Sequence, residues 1–534
     1  MATAVRAEPA APSEAPFSMR AIMAPLVAII VGVFMVVLDG TAVNVALPRL
    51  VVDLHSSLTS LQWTITGYAL AQAAVIPLAG WLSDRVGAKR LFLVSVVLFT
   101  LGSALCATAQ TSGYLIFFRI LQGMGGGFVL PLAMAYVYRI CPPQKIGTVM
   151  GMMGVPILFA PAIGPVLAGW LVQFASWRWI FLINVPIGVI GVTIGAFSLP
   201  VLARQAATTL DRYGVVLAPL AFAALSYGVS EGATSWTSAA TIGGISVGVV
   251  VFGLFIAAEL RSNAPLLELR VFQSSEFVRA ILVQWVGQFA LFGSLFLVPL
   301  FLQQVRGYGA FDTGLILLPQ ALASAVFMPI GGILFDRIGA RPLVVVGLGL
   351  IAVATLMLAH VSVTTQGRDL ILPLALSGAG MGLMFMSLNT HLLNAAPRAL
   401  IGRVTALTNA LQQVVNSLSV AGLATILTSR ATTDVGAVKA ALAAQAAQAP
   451  AAAQAAAASQ AAVGGTAALP PAIQAALTNA FATAFDETFR VMVVAAIIGA
   501  LLGLLLRRDR MAKDTHDDGV AEQGELVTGA VLVG

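Results

Sequence analysis

Long apolar runs separated by short polar loops organise nearly the whole chain. They fall at about 22–47, 61–82, 91–110, 113–138, 146–174, 178–200, 213–230, 239–259, 277–302, 314–334, 343–363, 370–394, 404–428 and 489–506. A buried soluble helix rarely exceeds about 14 continuous apolar residues, whereas a membrane-crossing helix needs about 20. The pattern therefore predicts an all-α integral membrane protein with fourteen transmembrane helices.

The polar breaks carry a repeat. Gly80-Trp-Leu-Ser-Asp84-Arg85-Val-Gly87-Ala-Lys89-Arg90 returns 252 residues later as Gly332-Ile-Leu-Phe-Asp336-Arg337-Ile-Gly339-Ala-Arg341, and each copy separates two apolar runs. A fixed-period repeat describes the architecture as a whole. Paired halves are what an alternating-access carrier needs, because one half rocks against the other around a site between them. Two six-helix halves would space the loops roughly 190–200 residues apart, at about 30 residues per helix and loop. The longer spacing leaves room for two inserted helices, which the runs at 213–230 and 239–259 supply.

The expected organisation is a tail at 1–20 and an amino-terminal six-helix bundle at 21–200. An inserted pair with its loops follows at 201–275, then a carboxy-terminal six-helix bundle at 276–506 and a tail at 507–534. The second bundle includes an Ala-rich loop at 431–485, whose core (437–480) contains Pro450, Gly464-Gly465 and Pro470-Pro471. Short helices are plausible there, but the apolar surface is too small for a packed domain. A spacer is the preferred reading, and a docking platform for a periplasmic adaptor protein is the other.

Composition sharpens this picture. Hydrophobic residues make up 59% and charged residues only 9% of 534, where a soluble domain carries roughly a quarter charged residues. The formal charge of +6 is spread over short loops rather than one face, so nucleic acid is not an expected partner. With the amino terminus inside, 20 of the 28 Lys and Arg residues fall on the cytoplasmic side, 7 outside, and Arg119 within a run. This bias orients a multi-pass protein of the plasma (inner) membrane with both termini cytoplasmic. Residues 21–37 resemble a signal peptide's apolar stretch, but the run continues towards Leu47 without a small-residue cleavage site. Cys106 and Cys141 provide neither a disulfide framework nor metal-ligand spacing.

Of the 22 acidic residues, only Asp39 lies well inside a membrane run. A charge at mid-bilayer costs about 2.5–3.5 kcal/mol on insertion scales and marks function. Desolvation favours a neutral carboxyl, the property a proton carrier uses. A structural hydrogen bond between helices is the alternative. Arg119, the one base placed similarly, would favour the ionised acid if the two met, and snorkelling to the interface is its alternative.

Gly123 and Gly127 lie four residues apart on the fourth run, and the fifth carries Gly151, Gly154, Gly164-Pro165 and Gly169. Small residues allow close packing in lipid, and Gly-Pro bends a helix. The feature is either generic packing or a seam between conformations. The repeated loops, with Gly80, Asp84, Arg85, Gly87, Arg90, Asp336, Arg337 and Gly339, suit a conformational gate in which the acids bridge to Arg85, Arg337 or a neighbouring helix. A purely topogenic role for the bases is the alternative. Trp63, Tyr68, Gln72, Gln122, Tyr136, Gln284, Gln288, Asn389, Asn409, Gln412, Gln413 and Asn416 could line a mostly neutral, amphipathic substrate cavity. Singly, each also suits an interhelical hydrogen bond. His360 and His391 read as structural. There is no Walker loop, nucleophile elbow or zinc motif, so neither ATP-driven transport nor catalysis is supported and no metal or cofactor is expected.

These residues together resemble the major facilitator superfamily over residues 20–506. The repeated loop matches that superfamily's loop 2–3 motif. Leu38-Asp39-Gly-Thr41-Ala-Val-Asn44-Val-Ala-Leu47-Pro48 is similar to the helix 1 motif of its fourteen-helix drug/proton antiporters, and Arg119-Ile-Leu-Gln122-Gly123 to their helix 4 motif. Gly151 to Gly169 resembles their helix 5 antiporter motif, and Trp177-Arg178-Trp179-Ile-Phe181-Leu-Ile-Asn184-Val-Pro186 is another stretch typical of the branch. There are departures: Ala160 and Ala168 stand where glycine is preferred, and Leu374 stands where the second half would repeat the arginine. No acid lies in 314–334, which argues against dicationic substrates.

The resemblance implies the major facilitator fold and proton-driven multidrug efflux of amphipathic small molecules. Asp39 would carry the proton with Arg119 as its electrostatic partner, and the proton gradient would be the only energy source. The competing readings are export of an endogenous lipid, glycolipid or self-made antibiotic, and a non-transporting sensor or scaffold.

Overall fold

The computed structural model describes residues 19–142, 145–202, 211–262, 265–396, 400–447 and 471–507. The predicted tails, apart from residues 19–20 and 507, and positions 448–470 of the Ala-rich segment lie outside these residues. The described chain is helical throughout, with no strand among the described residues.

The amino-terminal half contains α1 (Met19–Asp53), α2 (Leu58–Val75), α3 (Ala79–Val86), α4 (Ala88–Thr108), α5 (Ser112–Ile140), α6 (Ile146–Phe174), α7 (Arg178–Leu182) and α8 (Asn184–Ser198). The inserted pair is α9 (Gly214–Gly232) and α10 (Ala239–Arg261). The second half contains α11 (Ser275–Gln304), α12 (Ala310–Ile338), α13 (Ala340–Leu358), α14 (Ile371–Asn394), α15 (Ile401–Ala447) and α16 (Pro471–Gly503). Among the described residues, thirteen helical spans are long and apolar enough to cross a membrane. The fourteenth run forms the second part of α16, where Asp486, Glu487 and Arg490 crowd its start. The Ala-rich segment is drawn into structure from both sides, because α15 runs on to Ala447 and α16 begins at Pro471. This follows from alanine's helix propensity.

Local chemistry sets the helix boundaries. Ser57, Thr111, Ser238 and Ser274 cap α2, α5, α10 and α11 by accepting from backbone N–H groups three residues on, which satisfies donors the first turn leaves free. Both copies of the repeated loop turn on a glycine at positive φ, Gly87 at 97° and Gly339 at 78°. An L side chain is strained in that region, and this is why the loop keeps glycine at both sites.

Burial distinguishes the two ends of the molecule. At the end carrying Asp84 and Asp336, one continuous core joins both halves through Val137, Met150 and Met153 on one side and Met328, Phe335 and Leu407 on the other. At the opposite end the core divides. One cluster around Trp177, Phe181 and Leu115 belongs wholly to the first half, and another around Phe301, Phe485 and Phe489 wholly to the second. A cleft of about 570 Å³ lies there, lined by Val45, Gly169, Val172, Phe174, Phe311 and Asp312. The apolar cores of the two halves are thus joined at the loop end and separate at the other, where α6 and α12 still meet through Val166 and Gly314.

The inserted pair sits where α2 approaches α15. Tyr227 of α9 stacks on Trp63 of α2 with ring centroids 6.0 Å apart. Trp236, in the turn after α9, donates from Nε1 to Thr425 Oγ1 of α15 at 2.5 Å. The outer face of α10 exposes Val247, Val249, Val250 and Leu254, as a lipid-facing helix does.

Candidate functional site

Asp39 and Arg119 meet in the interior of the first half. Arg119 Nη1 lies 2.5 Å from Asp39 Oδ2, and the two side chains are 1% and 0% exposed. Asp39 Oδ1 accepts from Gln122 Nε2 at 3.0 Å and from Asn184 Nδ2 at 2.9 Å. Arg119 also donates to Thr64 O at 3.1 Å and to Gln122 Oε1 at 2.9 Å, and its guanidinium stands 3.9 Å over the Tyr68 ring. Asn184 donates in addition to Ser103 Oγ at 3.0 Å, and Ser103 donates to Phe181 O. Six helices, α1, α2, α4, α5, α7 and α8, therefore share one buried network.

Glycine makes the approach possible. A Cβ on Gly123 would meet Tyr68 O at 2.5 Å, and one on Gly102 would meet Gln122 Cα at 2.8 Å. The backbones of α2, α4 and α5 are close enough that the short reach of Gln122 suffices. As an ion pair Asp39 and Arg119 satisfy each other's charge, and Arg119 also holds Thr64 O, Gln122 Oε1 and the Tyr68 face. Removing one partner of a buried pair typically costs about 3–5 kcal/mol.

The repeated loops close the sealed end in two ways. Asp336 accepts from Gly147 N and Thr148 N at 3.0 Å and from Thr148 Oγ1 at 2.6 Å, which places a carboxylate of the second half on the α6 amino terminus, a favourable position for negative charge. Asp84 instead pairs within its own half with Arg139 at 3.0 Å. Arg85 lies over the Trp81 ring, while Arg90 and Arg337 are exposed, so of the suggested bridges only that to a neighbouring helix forms. Gly80 and Gly332 provide close contact: a Cβ on Gly80 would be 2.9 Å from Gly402 O, and one on Gly332 would collide with Gly147 O. The contact surfaces are themselves repeated, Ile146-Gly147-Thr148-Val149 and Ile401-Gly402-Arg403-Val404. That second repeat was available in the sequence and marks the partner of each loop.

Along α6 the glycines face two ways. Gly151 packs on α12, where a Cβ would lie 2.7 Å from Met328 O, while Gly164 packs on Thr41 of α1. Gly169 reaches the open cleft, and Pro165 is one of three prolines inside the helix, with Pro156 and Pro161.

The proposed cavity residues separate. Tyr68 and Gln122 belong to the ion-pair network, and Gln72 donates to Tyr68 Oη at 2.9 Å. Trp63 turns out onto the inserted pair, and Tyr136 donates to Pro200 O, so each contacts a neighbouring element. In the second half Gln284 donates to Asn389 and Gln288 to Asn416, joining α11 to α14 and α15. Asn409 bonds its own helix through Thr405 O, and Gln412 and Gln413 are half-buried on α15. His391 pairs with Glu276 at 2.8 Å, a structural tie.

Cys141, buried at the sealed end, reports on closure. Asp336→Ala removes three hydrogen bonds to α6 and is expected to raise maleimide labelling of Cys141 about tenfold. Cys106, beside the ion pair, serves as the protected control. Unchanged Cys141 labelling would show that the Asp336 contacts do not hold this end shut.

Residues 29–420 match the family model described as Major Facilitator Superfamily. The chain belongs to that superfamily. A multidrug resistance protein B homolog of Mycobacterium tuberculosis (strain ATCC 25618 / H37Rv) is 38% identical over 73% of this chain and 73% of that protein. The lincomycin resistance protein LmrB of Bacillus subtilis (strain 168) is 29% identical over 76% of this chain and 85% of that protein. The solved structure of the proton:xylose symporter XylE bound to 6-bromo-6-deoxy-D-glucose superposes with a TM-score of 0.61, covering 93% of this chain and 98% of that one. At 13% identity that likeness shows the fold alone. The chain is a multi-pass membrane transporter of the superfamily and not an enzyme.

Proposed function

We propose that this major facilitator transporter exports amphipathic small molecules from the cytoplasm in exchange for protons, with no cofactor. The buried Asp39–Arg119 pair carries the reading: it is an ionisable couple in a half-molecule that rocks, and its two protonation states demand different neighbours. The names of the resistance relatives support drugs as cargo. The Lys and Arg bias assigns the sealed loop end, and both termini, to the cytoplasm, so the cleft opens outward.

In the exchange, the outward-open state takes a proton at Asp39 and releases Arg119. The bundle then closes outside and opens at the loop end, where cargo enters and Arg119 reclaims the ionised acid. The mostly neutral amides Gln284, Gln288, Asn389 and Asn416 of the second half suit cargo without a double positive charge. An acyl chain would also fit the Val45, Val172, Phe174 and Phe311 lining, so a lipid-like product of the cell is the second reading.

A substrate screen in a pump-deficient host, with lipids beside drugs, tests the cargo. Raised tolerance to uncharged or singly charged amphiphiles, but not to dications, is expected. Protection against dications alone would reverse the assignment.

A further inference from the structure

A second polar feature adjoins Asp39 beside Asn184. A cavity of about 10 Å³ is lined by Asp39 and Ala42 of α1, Ala168 and Leu171 of α6, and Ile180 and Asn184 of the α7–α8 segment. That is room for about one water molecule. Only Asp39 and Asn184 among its lining residues carry polar side chains. Asn184 is fully buried, and its amide nitrogen serves Asp39 and Ser103 while its carbonyl Oδ1 has no partner. An orphaned buried carbonyl costs about 1–3 kcal/mol.

Counting lone pairs on Asp39 completes the picture. Oδ1 already accepts from Gln122 and Asn184, whereas Oδ2 accepts only from Arg119. With two lone pairs on each oxygen, the one remaining acceptor site belongs to Oδ2. We propose that Asn184 and Asp39 hold one proton-bearing water between α1, α6 and α8, and that Asp39 takes its proton there rather than through the substrate's path.

The step balances as a transfer from hydronium to carboxylate. An O–H bond forms on Asp39 Oδ2, one on hydronium breaks with its electron pair kept by the departing water, and Asn184 Oδ1 accepts from that water. The proton lands on the oxygen that holds Arg119, so uptake itself breaks the ion pair. The lining comes from the middle of α1, the last turns of α6 and the α7–α8 junction. Ala168, where the resembled motif prefers glycine, is part of the lining.

This inference rests on the proposed proton exchange, and the experiment separates the two. The full chain is reconstituted in liposomes with a trapped pH dye, using a cargo found in the screen. Ala168→Val fills the cavity with apolar atoms and removes no polar group. It is expected to lower cargo-coupled proton movement at least about tenfold while cargo–cargo exchange, which needs no proton, stays near wild type. Coupled movement within about twofold of wild type would overturn the water site.

If Ala168→Val does not insert, two changes at Asn184 decide. Ser is too short to reach Asp39 except through water, so Asn184→Ser should retain coupling and Asn184→Leu should lose it. Equal loss in both would reduce Asn184 to a direct structural bond and overturn the proposal. A wild type without coupling would overturn the exchange itself; a coupled wild type with unaffected variants overturns only the water site.

Discussion

Asp39→Asn is expected to abolish proton movement driven by cargo, by about a hundredfold or more, while the protein still inserts and folds. An amide cannot exchange the proton, yet it fills the same space. Its Oδ1 can still accept from Gln122 and Asn184, which now donate to the carboxylate at 3.0 and 2.9 Å. Arg119 loses its counter-charge but keeps Thr64 O, Gln122 Oε1 and the Tyr68 ring. Those contacts should hold the stability loss below the roughly 3–5 kcal/mol typical of a broken buried pair. Thermal melting in detergent beside proton flux in liposomes separates the two effects. Undiminished coupling in a folded Asp39→Asn protein would remove Asp39 from the proton role.

Gly151→Val should stop transport altogether without disturbing the proton site. A Cβ at Gly151 lies 2.7 Å from Met328 O and 3.1 Å from Pro329 Cα. Both are backbone atoms of α12, so no side-chain rotation relieves the clash. The halves would have to separate where Gly147 meets Gly332 and where Asp336 receives the α6 amino terminus. Closure at the loop end then fails, and export is expected to fall at least about a hundredfold with normal membrane insertion, because backbone overpacking costs several kcal/mol. Gly151→Ala should show a smaller loss in the same direction. Normal export by Gly151→Val would mean that the α6–α12 contact is not part of the cycle.

How much of this could be read beforehand depended on whether a residue's role was local or relational. Apolar runs and the loop repeat gave the helices and the two halves, because membrane burial demands continuous apolar length and duplication leaves a fixed spacing. Asp39 and Arg119 stood out because charge is costly in lipid. Their contact did not: 80 residues separate them, and only the packing of α1 against α5 brings them together. Asn184 carried no separate signal, since a buried asparagine beside a tryptophan-rich stretch suits interhelical bonding equally well. Asp84 and Asp336 looked equivalent in their loops yet have different partners, Arg139 in one case and the backbone of α6 in the other. The contacts of the cavity residues were least legible, because a polar side chain on a helix points by its angle around the axis. Trp63 faces the inserted pair and Tyr136 faces Pro200, directions that spacing along one helix does not specify.

The most direct measurement of the central claim uses the wild-type protein in liposomes, with cargo equal on both sides and only a pH difference imposed. The account predicts that cargo moves uphill, towards the more acidic side, and that reversing the pH difference reverses the movement. Cargo that travels with the protons, or never moves against its own gradient, would contradict exchange.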